Sequence, residues 1–487
     1  MTTILERGCW QLDDSITAVH HHSNDPRKDL LLRQGRDGSP QVFGGAEAAA
    51  RATRAAVEDR TIEFVAADRV PGPLGELARS DVGRRLLLQG GLAAVATMVA
   101  SASHPRMAFA ADPTSTRGTV VCLYLRGGID GMTLVPPIGD ANYYAKRTKL
   151  GVPASKAVPL TSMFGLHPAA ASLAQVYSAG DLALVPATGF IDPTRSHFEK
   201  QALMECAGDP AVLRSGWLGR HLLTTGGDTG TARAFTLGDF TAMSLTTSFP
   251  TMSARTLSAF ALGAFSTSKE QFASMLDSMW SASGGAAEAL GLLTLRALND
   301  YGPVSTGTYA PANGAEYPTT GLGQQFQEIA RTIKIGLPLE VAAIDAGGWD
   351  SHTGIGEAGS TTDPFGLMAK DLADSLTAFW KDLGTTHGAK TTVITMSEFG
   401  RTFHENGSGG FDHGYGNLMM VMGHSVKGGV YGPWPGLDSA SLSDGDLTIA
   451  VDYRDVLSEL VATRMNNAAS LGTVFPNYTP KYLGMFA

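Results

Sequence analysis

The run Thr119–Leu125 (TVVCLYL) constrains the fold more than any other stretch of this sequence. Its apolar side chains follow one another without the alternation that a strand with one solvent-exposed face would show. Continuous hydrophobicity over the length of a strand indicates burial on both faces, as in a parallel sheet that helices cover on either side. Further runs of this character are residues 182–187, 339–344 and 391–395. We therefore expect these runs to form the centre of one buried sheet.

Helical patterns separate the predicted strands along the chain. The clearest are residues 197–206, 216–225, 321–336, 363–383 and 452–464. Residues 233–268 are rich in Thr, Ser and Ala and have only weak periodicity, so no strand is predicted there. Alternation of strands and helices is typical of proteins with a parallel sheet. The sequence predicts an α/β fold with a mostly parallel central sheet flanked by helices on both faces.

An export signal is predicted before the first strand. Arg84 and Arg85 precede an apolar segment at residues 86–100, and Ala108 and Ala110 form an A-x-A site. This order is that of a twin-arginine (Tat-type) signal, and the apolar segment is too short for a comfortable membrane span. We predict cleavage after Ala110, no stable membrane span afterwards, and a periplasmic, cell-surface or extracellular location.

The signal segment divides the chain into three predicted parts. Residues 1–80 form a leader of unknown role that we expect to be disordered, and residues 81–110 form the signal segment. Residues 111–487 form a single domain, with a helical and loop elaboration at about residues 210–320. The net charge of −9 argues against nucleic-acid binding as the main task. The 3 cysteines do not form a disulfide framework, and free thiols are predicted.

Polar side chains cluster where the predicted strands end. They are Asp130 after the first strand, Thr194, Ser196 and His197 after the second, Asp350 and His352 after the third, and Glu398, Arg401 and His413 after the fourth. Ligands bind beside the carboxyl ends of strands in open α/β sheets, and carboxylates and imidazoles bind divalent metals. We therefore expect a shared polar site. The alternative is structural, with Asp130 capping a glycine turn and His197 bonding at a helix N-terminus.

Seven motifs occur in an order that resembles a known family. They are LYLRGGIDGM, RSHFEKQ, GGWDSH, MSEFGRT, ENGSGG, DHG and VKGGVYG. Over residues 119–484 the chain resembles the domain-of-unknown-function 1501 family (DUF1501), whose bacterial members are typically exported by the twin-arginine route. That family is placed in the alkaline phosphatase-like superfamily, together with sulfatases and phosphomutases. The resemblance implies that the predicted sheet is alkaline phosphatase-like.

The resemblance also implies which residues bind metal. Asp130 matches the acid after the first strand, and Glu398 stands for the Asp of an Asp-His pair. Asp350, His352 and His413 would serve one metal together. In this superfamily two divalent ions usually activate the nucleophile and hold the anionic ester.

The catalytic residues implied by the resemblance lie around the second strand end. The nucleophile would be Thr194 or Ser196, and the neighbouring residues do not decide between these hydroxyls. His197 lies beside them, and Arg195 or Arg401 would stabilise negative charge on the ester.

Two features depart from the superfamily pattern. Phe399 stands where the superfamily has a metal-binding His, and Asp350 precedes His352 by a shorter spacing than the superfamily uses. The first departure would deprive a second metal of a ligand. The expected cofactor is therefore one or two divalent ions (Zn, Mn, Mg or Ca), with a metal-free protein as the alternative.

Two functions follow from these observations. The leading hypothesis is an exported metal-dependent hydrolase of phosphate or sulfate esters, whose partners are a small-molecule or polymer ester, the Tat export machinery and no nucleic acid. The alternative is a non-catalytic secreted binding or scaffold protein with a degenerate metal site. Phe399 favours the alternative, whereas the retained acids and hydroxyls favour the hydrolase.

Overall fold

The computed structural model describes residues 117–486 apart from 193, 227–231, 239, 248–250 and 257–307, and only the backbone of five short strands before residue 117. Apart from the backbone of these strands, the predicted leader and the signal segment lie outside the described residues, as does most of the predicted elaboration at 210–320. The chain divides into two units, Met1–His104 with Ala273–Ala282 and Pro105–Phe272 with Ser283–Ala487. In the first unit, Trp10–Gln11, Ala18–His20, Leu30–Gln34 and Pro40–Gly44 pair consecutively as antiparallel strands.

A large mixed sheet forms the centre of the second unit. Its labelled strands are β1 (Thr119–Leu125), β2 (Leu182–Gly189), β3 (Ala232–Leu237), β4 (Met252–Ala254), β5 (Val341–Ala346), β6 (Thr391–Met396), β7 (Asn417–Met422), β8 (Gly429–Val430) and β9 (Val451–Asp452). Neighbouring strands follow the order β4-β3-β5-β1-β6-β7-β2-β8, and β9 pairs with β2. Ala108–Phe109 pairs with β3 in antiparallel orientation. Strands β1, β2, β5 and β6 are those that the sequence predicts.

Parallel pairing dominates this sheet. Strand β1 lies between β5 and β6 and pairs with both in parallel. Strand β7 is antiparallel to both of its neighbours, β6 and β2. Consequently β1, β2, β5 and β6 all run in one direction, and β7 begins at the edge of the sheet where these four strands end. The predicted mostly parallel α/β sheet is confirmed.

Among the described residues, six helices of more than one turn accompany the sheet: α1 (Leu173–Ser178), α2 (His197–Cys206), α3 (Trp217–Thr224), α4 (Gly321–Lys334), α5 (Pro364–Gly388) and α6 (Tyr453–Thr463). Single helical turns occur at Gly131–Leu134, Tyr143–Lys146, Pro168–Ala170, Pro210–Leu213, Met243–Leu245, Ala468–Ser470 and Leu471–Val474. Short strand pairs join Val158–Pro159 to Gly165–Leu166 and Leu442–Ser443 to Asp446–Leu447. No helix among the described residues combines the length and the apolar character that crossing a bilayer requires.

Both faces of the sheet are covered, as the continuous hydrophobicity of β1 predicts. Val121, Leu123 and Leu125 belong to a core cluster that also contains buried residues of α1, α4 and α5. The alternate residues of β1, including Val120 and Cys122, belong to a second cluster with buried residues of α2, α3 and α6. Successive side chains of a strand point to opposite faces, so each face of β1 contributes to its own core.

Strands β3 and β4 lie in the stretch for which the sequence predicts no strand. Arg233 interrupts the apolar pattern of β3, yet its side chain is almost fully buried. Its Nε atom donates to Glu340 Oε2 at 2.8 Å. A buried charge is tolerated when it is paired and hydrogen-bonded, which explains how this sequence forms a strand next to β5.

Helix α5 extends beyond the predicted end at residue 383. The backbone of Gly384 is left-handed, with φ of 52° and ψ of −168°. Regular helical geometry therefore stops at this glycine, which adopts positive φ at low cost, and a further turn follows. The predicted boundary corresponds to the end of the regular helix.

The buried imidazole of His167 makes the stability of the fold depend on pH. It precedes the turn Pro168–Ala170, and its Nδ1 atom accepts a hydrogen bond from the Ala169 amide at 3.2 Å. Burial, with a smaller effect of Lys156, lowers the pKa of His167 from 6.5 to about 4. Between these values the unfolded chain binds a proton that the folded chain excludes, so stability falls as the pH falls through this window.

We expect the wild type to lose about 2 kcal/mol of unfolding free energy from this residue between about pH 7 and about pH 5. In His167→Asn, the amide oxygen can still accept the Ala169 hydrogen bond, and the titrating group is gone. Urea unfolding at both pH values measures the difference. Equal losses in the two proteins would contradict the prediction.

Candidate metal centre

The direction of the strands brings four polar side chains to one edge of the sheet. His197 is the first residue of α2, which follows β2, and Asp350 and His352 lie in the loop after β5. His413 comes shortly before β7, the antiparallel strand that begins at this edge. Their potential ligand atoms all lie within 4.8 Å of one another. We call these four residues the His/Asp cluster.

The three imidazoles of the His/Asp cluster present the same nitrogen to its centre. Asp350 Oδ1 lies 3.0 Å from His352 Nε2, 3.3 Å from His197 Nε2 and 3.6 Å from His413 Nε2. The Nε2 atoms of His352 and His413 are 2.8 Å apart. Nitrogen and carboxylate oxygen are the atoms through which these side chains bind Zn²⁺.

The hydrogen bond that each ring makes through its other nitrogen, Nδ1, determines the tautomer of that ring. Each Nδ1 atom faces an oxygen that accepts hydrogen bonds: Glu398 Oε1 at 2.8 Å for His197, Asp412 Oδ1 at 2.8 Å for His352, and the Arg195 carbonyl at 2.7 Å for His413. Each ring therefore donates through Nδ1, and a neutral ring then carries a lone pair on Nε2. Burial, together with the nearby positive charges, lowers the pKa of His413 and favours its neutral form.

Converging lone pairs repel one another unless a cation or a shared proton lies between them. The Nε2 atom of His197 is buried and has no hydrogen-bond partner in the part of the chain that the structure describes. Outer acceptors on Nδ1 are also the usual arrangement around metal-bound histidines, where they fix the tautomer and orient the ring. The donor set therefore fits a divalent cation.

Glu398 lies behind His197 and outside the His/Asp cluster. Its side chain is completely buried. Besides the His197 ring, the Gly127 amide and the Gln201 side chain both donate to Glu398 Oε1, each at 2.8 Å. The sequence predicts Glu398 as a ligand, whereas this geometry makes it an acceptor that orients a ligand.

The turn that carries the Gly127 amide requires glycine. The φ angle of Gly127 is 113°, which side chains with a Cβ rarely adopt. A Cβ at this position would lie 2.5 Å from the Asp350 amide nitrogen. The close approach of this turn to the loop after β5 thus depends on the Arg-Gly-Gly sequence that follows β1.

Arg401 holds the only carboxylate of the cluster. Its Nη2 atom donates to Asp350 Oδ1 at 2.6 Å, and its side chain is fully buried. Partial burial raises the pKa of Asp350, but the hydrogen bond and charge of Arg401 lower it below the ordinary value. Asp350 is thus kept as an anion, the form that binds metal.

Asp130, predicted as a metal ligand, lies outside the cluster. Arg147 donates to its two carboxylate oxygens at 2.6 and 3.1 Å, and Thr133 donates at 2.6 Å. Arg147 also donates to the carbonyls of Thr402 and Phe403. This buried ion pair ties the turn after β1 to the loop before His413, which favours the structural alternative for Asp130.

The two candidate nucleophiles precede α2. The hydroxyl of Thr194 donates to Glu199 Oε2 at 2.5 Å. Ser196 is the residue that precedes the first turn of α2, and its side chain makes no capping hydrogen bond there. Both side chains are partly exposed.

The two arginines predicted to stabilise charge differ in access. The side chain of Arg195 is 38% exposed, and its guanidinium donates to Asp446 Oδ2 at 3.1 Å and lies 4.5 Å from the centre of the Tyr415 ring. The guanidinium of Arg401 is fully buried among carbonyl oxygens. Arg195 is therefore the arginine that an ester at this edge can reach.

Phe399 lines the cluster where the superfamily pattern has a histidine. Its ring centre lies 4.8 Å from that of His197 and 4.5 Å from that of His413. An apolar wall beside the imidazoles lowers the local polarity and limits the rotation of both rings.

Sequence reasoning placed Asp350, His352 and His413 together as ligands, and the structure brings them together. It assigned His197 to catalysis, whereas the ring belongs to the cluster. It assigned no role to Asp412, which accepts from the His352 ring, or to Gln201, which donates to Glu398. Asp412 directly precedes His413, and Gln201 lies four positions after His197 in a predicted helix, so helical spacing and adjacency were the available signals.

The chain is thus an α/β protein with a candidate metal centre at the carboxyl edge of its sheet. Residues 306–463 match a family model described as "Protein of unknown function (DUF1501)", which confirms the predicted family over that part of the chain. The match includes Asp350, His352 and His413 but not His197. No protein with a curated description matches this chain.

A solved structure that is similar to this chain is the PsFucS1 sulfatase from Pseudoalteromonas sp. The two chains are 13% identical, and the similarity covers 77% of this chain and 71% of the sulfatase, with a TM-score of 0.31. At that TM-score the similarity supports no argument about fold or activity.

The His/Asp cluster predicts a specific loss of metal binding. We expect His352→Ala to lower the affinity for Zn²⁺ by roughly a hundredfold or more, because one of four ligands is removed. The exposed His404, which lies outside the cluster, provides the control His404→Ala. Competition with a chromophoric chelator measures both affinities. Equal affinities in the two variants would exclude this ligand set.

Substitution of Asp130 tests whether it is a metal ligand or a structural residue. Asp130→Ala leaves the Arg147 guanidinium buried without its carboxylate, so we expect a loss of roughly 3–5 kcal/mol in the free energy of unfolding. The metal content of the folded variant should equal that of the wild type. Urea unfolding and elemental analysis measure the two quantities, and loss of metal from a variant of undiminished stability would show that Asp130 is a ligand.

Proposed function

We propose that this chain is an exported metal-dependent hydrolase of phosphate or sulfate esters. The observation that carries the proposal is the convergence of His197, Asp350, His352 and His413 at the carboxyl edge of the sheet. Three imidazole rings that carry their protons on Nδ1 direct three Nε2 lone pairs at one point. That arrangement suits a metal ion better than any other ligand. The edge itself is where α/β sheets bind their substrates.

The donor set favours one Zn²⁺ or Mn²⁺ ion. Imidazole suits transition metals, whereas Mg²⁺ and Ca²⁺ prefer sites built of oxygen ligands. When bound, the ion would polarise the ester and neutralise its developing negative charge. The protein residues supply the rest: Glu398 and Asp412 orient two of the rings, and Arg401 keeps Asp350 directed at the cluster.

Thr194 is the better nucleophile of the two candidates. Its hydroxyl already donates to the Glu199 carboxylate, and that carboxylate can take the proton as the Thr194 oxygen bonds to phosphorus or sulfur and the bond to the ester's leaving alcohol breaks. Water would then release phosphate or sulfate from Thr194. Arg195, whose side chain is partly exposed, can contact the oxygens of the ester. His197 would then bind metal instead of acting on the hydroxyl.

Export by the twin-arginine route is part of the proposal. It is supported by Arg84, Arg85 and the A-x-A site at Ala108 and Ala110. The Tat export machinery would be the partner during secretion, and the ester would be met outside the cytoplasm.

Elemental analysis and turnover test the proposal together. We expect the full chain to hold about one Zn or Mn per molecule and to hydrolyse an aryl phosphate or an aryl sulfate, and Asp350→Ala to lose both. Thr194→Ala should retain the metal and lose turnover by about a hundredfold or more, whereas the neighbouring control Ser196→Ala should retain both. Equal loss in these two variants would reject Thr194, and metal-free wild type that takes up no added ion would reject the hydrolase.

A metal-binding protein without catalysis is the second candidate. It is favoured by the engagement of Arg401, whose donors are all directed at protein oxygens. Phe399 in place of a ligand points the same way. Stoichiometric metal without turnover of either ester class would support this candidate.

A further inference from the structure

One face of α2 carries a line of polar side chains that the proposed chemistry does not use. His197, Gln201 and Glu205 are four residues apart, so they lie one above the other on the same face of the helix. The Gln201 side chain lies between two charged groups, Glu398 and Arg126. We propose that Gln201 is a positioning residue that orients Glu398 and thereby holds His197 in the tautomer that binds metal. The inference rests on the proposed function, since the metal centre is part of it.

Donor and acceptor can be assigned in each hydrogen bond along this line of side chains. Arg126 can only donate, so the atom of Gln201 that it contacts at 3.3 Å is the amide oxygen. The amide nitrogen therefore faces Glu398 Oε1, to which it donates at 2.8 Å. A carboxylate that accepts at Oε1 requires the His197 Nδ1 atom, 2.8 Å away, to be the donor. The Gln201 and Gly127 amides therefore hold the Glu398 carboxylate beside the His197 ring, and donation from Nδ1 leaves the Nε2 lone pair directed at the cluster.

Arg126 is itself held rigidly at the start of this line. It pairs with Glu205 at 2.6 Å and with Asp345 at 3.0 Å. Its guanidinium also lies 4.0 Å from the centre of the Tyr124 ring. Two carboxylates and an aromatic ring fix the position of the Arg126 guanidinium. Its hydrogen bond to the amide oxygen of Gln201 then prevents the amide from rotating by half a turn, which would exchange its oxygen and nitrogen.

Gln201→Met tests the proposal, because methionine has a similar length and cannot donate a hydrogen bond. We expect the affinity of the full chain for Zn²⁺ to fall by roughly tenfold, the lower end of the range for removing a direct partner of a metal ligand, because Gln201 acts on His197 only through Glu398. In the metal-free protein, the ¹⁵N chemical shifts of the His197 ring should move from the Nδ1–H form towards a mixture of tautomers. Gln175→Met is the matched control, since Gln175 is exposed and bonds only to Ser172.

A double substitution separates positioning from a general effect on folding. If Gln201 acts through Glu398, then Gln201→Met should have little further effect on Zn²⁺ affinity once Glu398→Gln is present. Independent, additive losses would overturn the proposal. So would His197 ring shifts and Zn²⁺ affinity that match those of the Gln175→Met control.

The tautomer measurement also separates this proposal from the proposed function. A wild type that binds no metal, yet shows the Nδ1–H form of His197 that Gln201→Met abolishes, would reject the hydrolase and support the positioning role. A wild type that binds Zn²⁺ with a tautomer insensitive to Gln201→Met would reject the positioning role and leave the proposed metal centre intact.

Discussion

The buried guanidinium of Arg401 joins the segments that build the edge of the sheet. Its donors reach oxygens in the turn after β1, the loop after β5 and the segment before β7: the carbonyls of Gly127, Gly128, Trp349 and Phe411 and the Asp350 carboxylate. A guanidinium offers five donors in one plane, so it can fix several acceptors at once. Without it, buried carbonyls and a carboxylate would lack partners, which is costly in a dry interior. The geometry of the His/Asp cluster depends on this arrangement.

The cluster is oriented from outside rather than by mutual contact. Glu398, Asp412 and the Arg195 carbonyl each hold one imidazole, and Arg401 holds Asp350. Binding sites need such support, because a ligand whose rotamer is free loses affinity when it must be ordered. Here the support comes from two loops, the one between β2 and α2 and the one between β6 and β7, so the centre is assembled only when these strands have paired.

Sequence reasoning predicted the place of the site better than its members. Polar residues after strands of one direction had to meet at one edge, and Asp350, His352 and His413 do so. Asp130 and Glu398 also lie near this edge, but each carboxylate is directed to another partner, Arg147 and the His197 ring respectively. Strand ends determine position along the sheet, whereas side-chain direction depends on loop geometry that no local pattern encodes.

The sequence by itself determined the α/β class, the central strands and the edge that carries the polar residues, because hydrophobic periodicity reports burial directly. Continuous apolar runs such as Thr119–Leu125 can form only strands covered on both faces or buried helical segments, and length decides between them. The tertiary structure alone decided that β7 is antiparallel, that His197 joins the cluster and that Gln201 connects Arg126 to Glu398. These features depend on contacts between residues far apart in the chain, and such contacts form only after the strands have paired and the loops have packed.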